Sequence, residues 1–181
     1  MKTTMTTQEL EKLRFPLGEY ECPEVITAAH LTEWIAELKQ LPVNLQKLTQ
    51  NITENQLNTP YRPGGWTVRQ VVHHLADSHI NALLRFKFAL TEDNPTIKPY
   101  PEDIWATLVD YTLPIESSIQ ILTGVHHRLV TLLNHLQPQD MKRTYYHPGY
   151  QKTFLLDEVI GLYAWHSRHH LAHIQLGINQ A

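Results

Sequence analysis

The sequence predicts an all-α protein, a four-helix bundle preceded by an extended N-terminal arm. Three observations predict it. Four long stretches carry apolar residues at helical spacing. No stretch alternates apolar and polar residues with the period of two that marks a strand. No internal repeat, low-complexity tract or linker divides the 181 residues, a length that fits one domain with one substantial core.

The elements follow in order. A short helix is expected before Arg14, and the stretch from Arg14 to Pro23, with Pro16, Gly18 and Pro23, reads as an extended arm. From His30 to Asn51 the spacing of Leu31, Trp34, Ile35, Leu38, Leu41, Leu45 and Leu48 is helical, and Ile52 continues the stripe. Pro42 lies inside and is expected to kink or break the helix near Gln40, because proline lacks the N–H and clashes with the preceding turn. Thr59 to Gly65, with Pro60, Pro63, Gly64 and Gly65, is a loop by its breaker residues. A second long helix begins at Thr67, where Thr67 and Gln70 form a capping box, and runs to about Thr91. Asp93 to Pro101 reads as loop and Glu102 to Val109 as a short helix. The third long helix spans Ile115 to Leu136, with Ile119, Leu122, Val125, Leu129, Leu132, Leu133 and Leu136 as its stripe. Gln137 to Gln151 is a polar connection rich in tyrosine. The fourth runs from Leu156 to Leu176, with Asp157 and Glu158 matched to the helix dipole in its first turn and Gly177 expected as its C-cap.

Composition narrows the function classes. A net charge of −3 without a long basic run argues against nucleic acid as the main partner. No run of apolar residues is long enough for a membrane span. The single cysteine, Cys22, permits no intrachain disulfide and suits a reducing cytoplasm. The start from Met1 to Glu9 lacks the apolar segment of a secretory signal, so cytoplasmic residence is the expectation.

Histidine carries the chemistry. His166, His169, His170 and His173 crowd the fourth long helix, and His73, His74 and His79 lie on the second. Histidine is the commonest neutral metal ligand, and two of them four residues apart on a helix point the same way. Each residue turns by about 100°, so His166 and His170 lie within roughly 40° of each other, while His169 is displaced from His166 by roughly 60°. Both His166/His170 and His169/His173 are able to chelate. A helical pair plus one distant histidine gives three nitrogen ligands with coordination positions left open, the pattern of a catalytic metal site. His79 falls on the core stripe of its helix, as a buried histidine bonded to a neighbouring helix would. Azimuth does not choose between His73 and His74. His30, His126, His127 and His135 read as structural or solvated, and His147, beside Pro148, is placed to approach a site mouth.

Three segments are distinctive together: Arg14 to Tyr20, Thr59 to His79 with its Gly64-Gly65-Trp66-Thr67-Val68-Arg69-Gln70 string, and Gly161 to His173. They resemble the YfiT family, whose members are described as metal-dependent hydrolases within the broader DinB-like superfamily. The resemblance extends from Phe15 to Leu176. It implies a DinB-like bundle carrying one divalent metal ion, zinc or nickel, on three histidines. Carried onto this chain, those positions are His74, His166 and His170, with His169 and His173 left to support them. It also implies a homodimer, and twofold pairing is the commonest closed assembly.

Such an ion lowers the pKa of bound water from 15.7 towards about 7 and polarises a carbonyl, so hydrolysis of a small amide or ester substrate is the direct expectation. No His-Glu-x-x-His motif names a general base; Asp77 and Glu158 are the candidates the sequence offers. Related DinB-like proteins include thiol transferases, so the resemblance also implies, as the alternative, an S-transferase that presents a low-molecular-weight, bacillithiol-like thiol as metal-bound thiolate. Arg62, Arg69 or Arg85 would then hold the anionic groups of that thiol. A non-enzymatic ion-storing or ion-sensing bundle is the third class.

Overall fold

The computed structural model describes residues 5–181; Met1 to Thr4, the beginning of the segment read as lacking a secretory signal, lie outside the described residues. Among the described residues, seven α-helices and one two-stranded sheet follow in the order α1 (Thr7–Arg14), α2 (Ala28–Thr49), α3 (Glu54–Leu57), α4 (Val68–Thr91), α5 (Glu102–Trp105), α6 (Glu116–Leu133), β1 (Thr144–His147), β2 (Lys152–Leu155) and α7 (Leu156–Gln180). The four long helices α2, α4, α6 and α7 form the bundle, and the arm from Phe15 to Thr27 joins α1 to it.

Side-chain chemistry sets the helix starts. Thr27 and Thr67 each accept a hydrogen bond from the third backbone N–H of the following helix, and the side chains of His30 and Gln70 return the bond to the cap N–H. Two otherwise orphaned donors are satisfied at each end. α7 has no such cap and starts directly from β2, with its first-turn Asp157 buried and bonded to Lys142 at 2.6 Å.

Around the bundle, α2 packs on α6 and α7, and α4 packs on the same two. Consecutive long helices α2 and α4 are therefore diagonal partners, as are α6 and α7. α4 and α7 run antiparallel: Val68 meets Gly177, His74 meets His166 and His170, and Arg85 meets Tyr163. The core divides into two apolar clusters, one around Leu38, Phe86, Leu129 and Ile160, the other around Leu45, Val72, Leu75 and Leu122. Each fully buried leucine or phenylalanine contributes about 1.5–3 kcal/mol relative to exposure. Histidines of α4 and α7 lie along the bundle interior beside these clusters.

Four expectations are corrected. α2 runs unbroken through Pro42, which is buried in its interior. α7 continues to Gln180, so Gly177 is an interior residue rather than a C-cap; a Cβ there would come within 2.4 Å of Val68 Cγ2, and glycine lets α7 close onto the start of α4. The polar connection contains a hairpin, with Thr144 opposite Leu155 and His147 opposite Lys152. Its strands are four residues each, too short for a period of two to stand out from sequence. The short helix expected from Glu102 to Val109 stops at Trp105 and gives way to a 3-10 turn over Val109–Thr112. No helix of the described residues is long and apolar enough to cross a membrane.

Candidate metal centre

α4 contributes His74 from its first half, and α7 contributes His166 and His170 from one face, one turn apart. One ligand atom from each of the three lies within 4.8 Å of the others, and among the described residues this is the group of three or more that could hold a metal ion. His74 Nε2 and His166 Nε2 are 3.4 Å apart. Two imidazole nitrogens on a tetrahedral zinc, with Zn–N near 2.05 Å, sit about 3.3 Å apart. The spacing fits.

The tautomers can be worked out from the ends of two hydrogen-bonded chains. Leu38 C=O can only accept, so His126 Nδ1, at 2.6 Å, carries a proton. A neutral His126 then accepts at Nε2 from His79 Nδ1–H at 3.0 Å, and His79 Nε2 accepts from His166 Nδ1–H at 3.4 Å. Nε2 of His166 is left bare. The second chain ends on the N-terminal arm: Arg14 C=O accepts from His173 Nε2–H at 3.0 Å, and His173 Nδ1 accepts from His170 Nδ1–H at 3.3 Å. His170 Nε2 is bare as well. Such outer partners orient metal-binding imidazoles and raise their basicity.

Pro42 explains why the first chain can end where it does. In a helix the N–H of residue 42 would bond to the carbonyl of Leu38, and proline has no N–H to offer. That carbonyl is the one His126 takes.

Burial keeps these rings neutral, the form that ligates. His74 is pushed down to about 4 by burial, with His173 adding to the effect, and burial holds His166 and His170 well below the ordinary histidine value. His74 Nδ1 is buried without a partner. Lone pairs facing each other at 3.4 Å repel unless a proton or a cation sits between them. A proton bridges two nitrogens; a divalent ion serves three.

Two cavities meet at His166. One, of about 470 Å³, opens over all three histidines and is walled by Arg14, Phe15, Arg62 and Trp66. The other, of about 320 Å³, runs along α7 to Arg85 and is walled by Tyr100, His147, Tyr163 and Trp165. Glu102, Tyr150 and Trp165 border both. Glu102 Oε2 lies 3.7 Å from His74 Nε2, and burial, followed by the neighbouring Asp103, raises its carboxyl above the ordinary range.

Residues 37–174 match the DinB superfamily. The chain belongs to it. A Bacillus mycoides protein named "Putative metal-dependent hydrolase" is 49% identical over 165 residues, 91% of this chain and 95% of its own. An Oceanobacillus iheyensis protein of the same description is 50% identical over 161 residues, 89% of this chain and 93% of its own. The solved structure of YfiT from Bacillus subtilis, described as "a probable metal-dependent hydrolase with an unusual four-helix bundle topology", matches with a TM-score of 0.90 at 44% identity. It covers 93% of this chain and 97% of that one.

Within this DinB-superfamily bundle the expected residues separate clearly. His74, His166 and His170 come together, whereas the competing pair His169/His173 does not join them: His169 stacks on Trp165 and His173 on Tyr61. His73 is buried against α6, bonded to Ser118 Oγ at 2.7 Å. Neither base named from sequence reaches the site. Asp77 accepts from the Tyr111 hydroxyl at 2.7 Å, and Glu158 pairs with Lys152 at 3.5 Å. Glu102 is the carboxylate that does, and it was missed because it sits after a proline-rich loop, far from any histidine in sequence. Of the three arginines considered, Arg69 is paired with Glu54, and Arg62 donates to Tyr61 Oη and the Pro63 carbonyl; Arg85 lines the second cavity. Cys22 is free and exposed on the arm.

Proposed function

We propose that the protein is a metal-dependent hydrolase of small substrates, with one divalent ion, zinc or nickel, held by His74, His166 and His170. When bound, the ion supplies Lewis acidity towards a carbonyl and acidifies a water at neutral pH. The observation that carries the reading is the convergence of three imidazole nitrogens beside a carboxylate where two cavities meet. Three protein ligands leave a position open for water or substrate, unlike the closed set of a structural site.

The residues divide the work. His79 and His126 fix the ring of His166, and His173 fixes that of His170. Glu102, on the short helix that borders both cavities, takes the proton from the attacking water and returns it to the leaving group. Trp66, Trp165 and Tyr150 wall the site with apolar surface, which limits bulk water and strengthens the electrostatics inside.

The test is turnover of an ester and amide panel by metal-loaded protein, with and without added low-molecular-weight thiol. Hydrolysis without thiol supports the reading; a strict thiol requirement would replace it with the S-transferase. Glu102→Gln should retain the metal and lose roughly 100-fold or more in kcat, the scale of general base catalysis. Metal retained with undiminished kcat would remove Glu102 from the mechanism.

The assembly is proposed to be a homodimer in the cytoplasm. The exposed Ile104, Leu108, Val109 and Leu113, within one short segment after the site, support a paired surface. Light scattering giving the mass of one chain would refute it.

A further inference from the structure

Arg85 is a cation with unfilled bonding capacity. Its Nη1 donates to the Tyr163 hydroxyl at 3.1 Å, its Nε is buried with no acceptor, and no carboxylate of the described residues pairs with it. Arg14, Arg69 and Arg168 each have an acidic partner, and Arg143 gives its guanidinium to the carbonyls of Ala89 and Glu92. Arg85 instead lines the cavity of about 320 Å³ that ends at His166. A guanidinium stays charged at any pH the fold survives, and one that is partly desolvated without an anion is costly.

The cavity's dimensions and charge define what would complete it. Tyr163 links the guanidinium to the metal site, bonded to Arg85 at one end and packed on His166 with ring centroids 5.7 Å apart at the other. A ligand whose two ends span one tyrosine side chain reaches both. The walls between are aromatic: Tyr100, Tyr150 and Trp165. Glu102 shares the cavity but lies at its metal end, 3.7 Å from His74 Nε2, which leaves Arg85 as the cation that meets an anion at the other end.

Resting on the hydrolase reading above, we propose that Arg85 is a substrate-binding residue, and that the substrate is a short acyl compound carrying a carboxylate at the end remote from the bond that is cleaved. A carboxylate offers two coplanar oxygens to the fork of a single guanidinium. It gains charge-assisted hydrogen bonds from the guanidinium. The same contact fixes the acyl group at the metal in one orientation.

The experiment separates this from the metal reading. Zinc-loaded protein is titrated calorimetrically with acetohydroxamate, with succinic monohydroxamate, and with the methyl ester of the latter. Acetohydroxamate binding reports the metal alone. The acid should bind about tenfold tighter than its ester, the scale of one charge-assisted contact. Arg85→Gln should erase that ratio while leaving acetohydroxamate within about twofold, and Arg128→Gln, remote from the site, should change neither. Equal binding of acid and ester by the native chain overturns the proposal, as does a ratio that survives in Arg85→Gln. Should no hydroxamate bind, the metal reading has failed, and succinate added to metal-free protein still decides Arg85. A saturable NMR shift of the Trp165 indole N–H, present in the native chain and lost in Arg85→Gln, supports the site; no saturable shift overturns it.

Discussion

Two knots of buried histidine share α4, and they differ in where their ring nitrogens point. In the His79–His126 pair all four nitrogens are bonded to protein: to each other, to the Leu38 carbonyl and to His166 Nδ1. In the His74–His166–His170 group one nitrogen from each ring turns towards the other two, at the meeting of two cavities. Both knots are buried apart from the half-buried His166, and burial of the rings holds both neutral. Density and burial therefore do not mark a metal site. The marker is a nitrogen left over after the protein's own bonds are counted, and the sealed pair exists to produce one on His166.

Removing a leftover nitrogen should have the largest effect. His166→Ala or His170→Ala leaves two candidate ligands, and metal content measured by elemental analysis of purified protein should fall from about one ion per chain to near none. Full occupancy in His166→Ala would return the site to His169 and His173.

Breaking the sealed pair should act one step removed. His79→Phe keeps the ring's bulk but leaves His166 Nδ1 and His126 Nε2 without a partner. Zinc affinity by competition titration should fall about 10- to 100-fold, as for other outer-shell partners, with about 1–3 kcal/mol lost in stability. Unchanged affinity with lowered stability would make the pair a core feature only.

The contrast also bears on how much could be read from sequence. A chelating pair on α7 was legible because one helix carries histidines at a spacing of four, but His169 and His173 share that spacing, and the family resemblance was needed to choose His166 and His170. Choosing His74 over His73 needed the family resemblance, since adjacent residues on a helix differ by about 100° and either can face inward. His79 was legible as buried, but its partner was not: His126 lies on α6, and no local pattern ties a histidine to a carbonyl on a third helix. Glu102 was hidden for the same reason, being brought in by a loop and a four-residue helix. Gly177 and Pro42 depart from the sequence expectation because glycine and proline are not only breakers: one is a close-packing contact and the other an interior residue.

Acid should destabilise the fold through the sealed knot. Burial pushes His126 down to about 4, against about 6.5 in the unfolded chain. Between those values the unfolded state binds more protons, so stability is complete above the unfolded value and is lost as pH falls. The slope is up to about 1.4 kcal/mol per pH unit, or about 3 kcal/mol across the window. His126→Asn retains a donor for the Leu38 carbonyl and removes the titrating ring. Its urea midpoint should lie below the native one at pH 7 yet fall less between pH 6.5 and 4. Parallel losses in the two proteins would assign the acid sensitivity to other groups.

The smallest effect tests the origin of the chain of bonds. Pro42→Ala restores a backbone N–H four residues after Leu38, and that N–H will seek the carbonyl His126 now uses. The carbonyl has two lone pairs, so the two donors can share it, and the histidine bond should lengthen rather than break. Alanine is also the better helix former, by up to about 3 kcal/mol in an unconstrained helix interior. The two consequences have opposite signs. Thermal stability of the metal-free protein should hold or rise, while zinc affinity drops by no more than about tenfold, below the loss expected for His79→Phe. A variant that is both more stable and equally avid would show that the carbonyl serves both donors without strain. In that case Pro42 is simply tolerated in α2, and the sealed pair would orient His166 whatever occupies position 42.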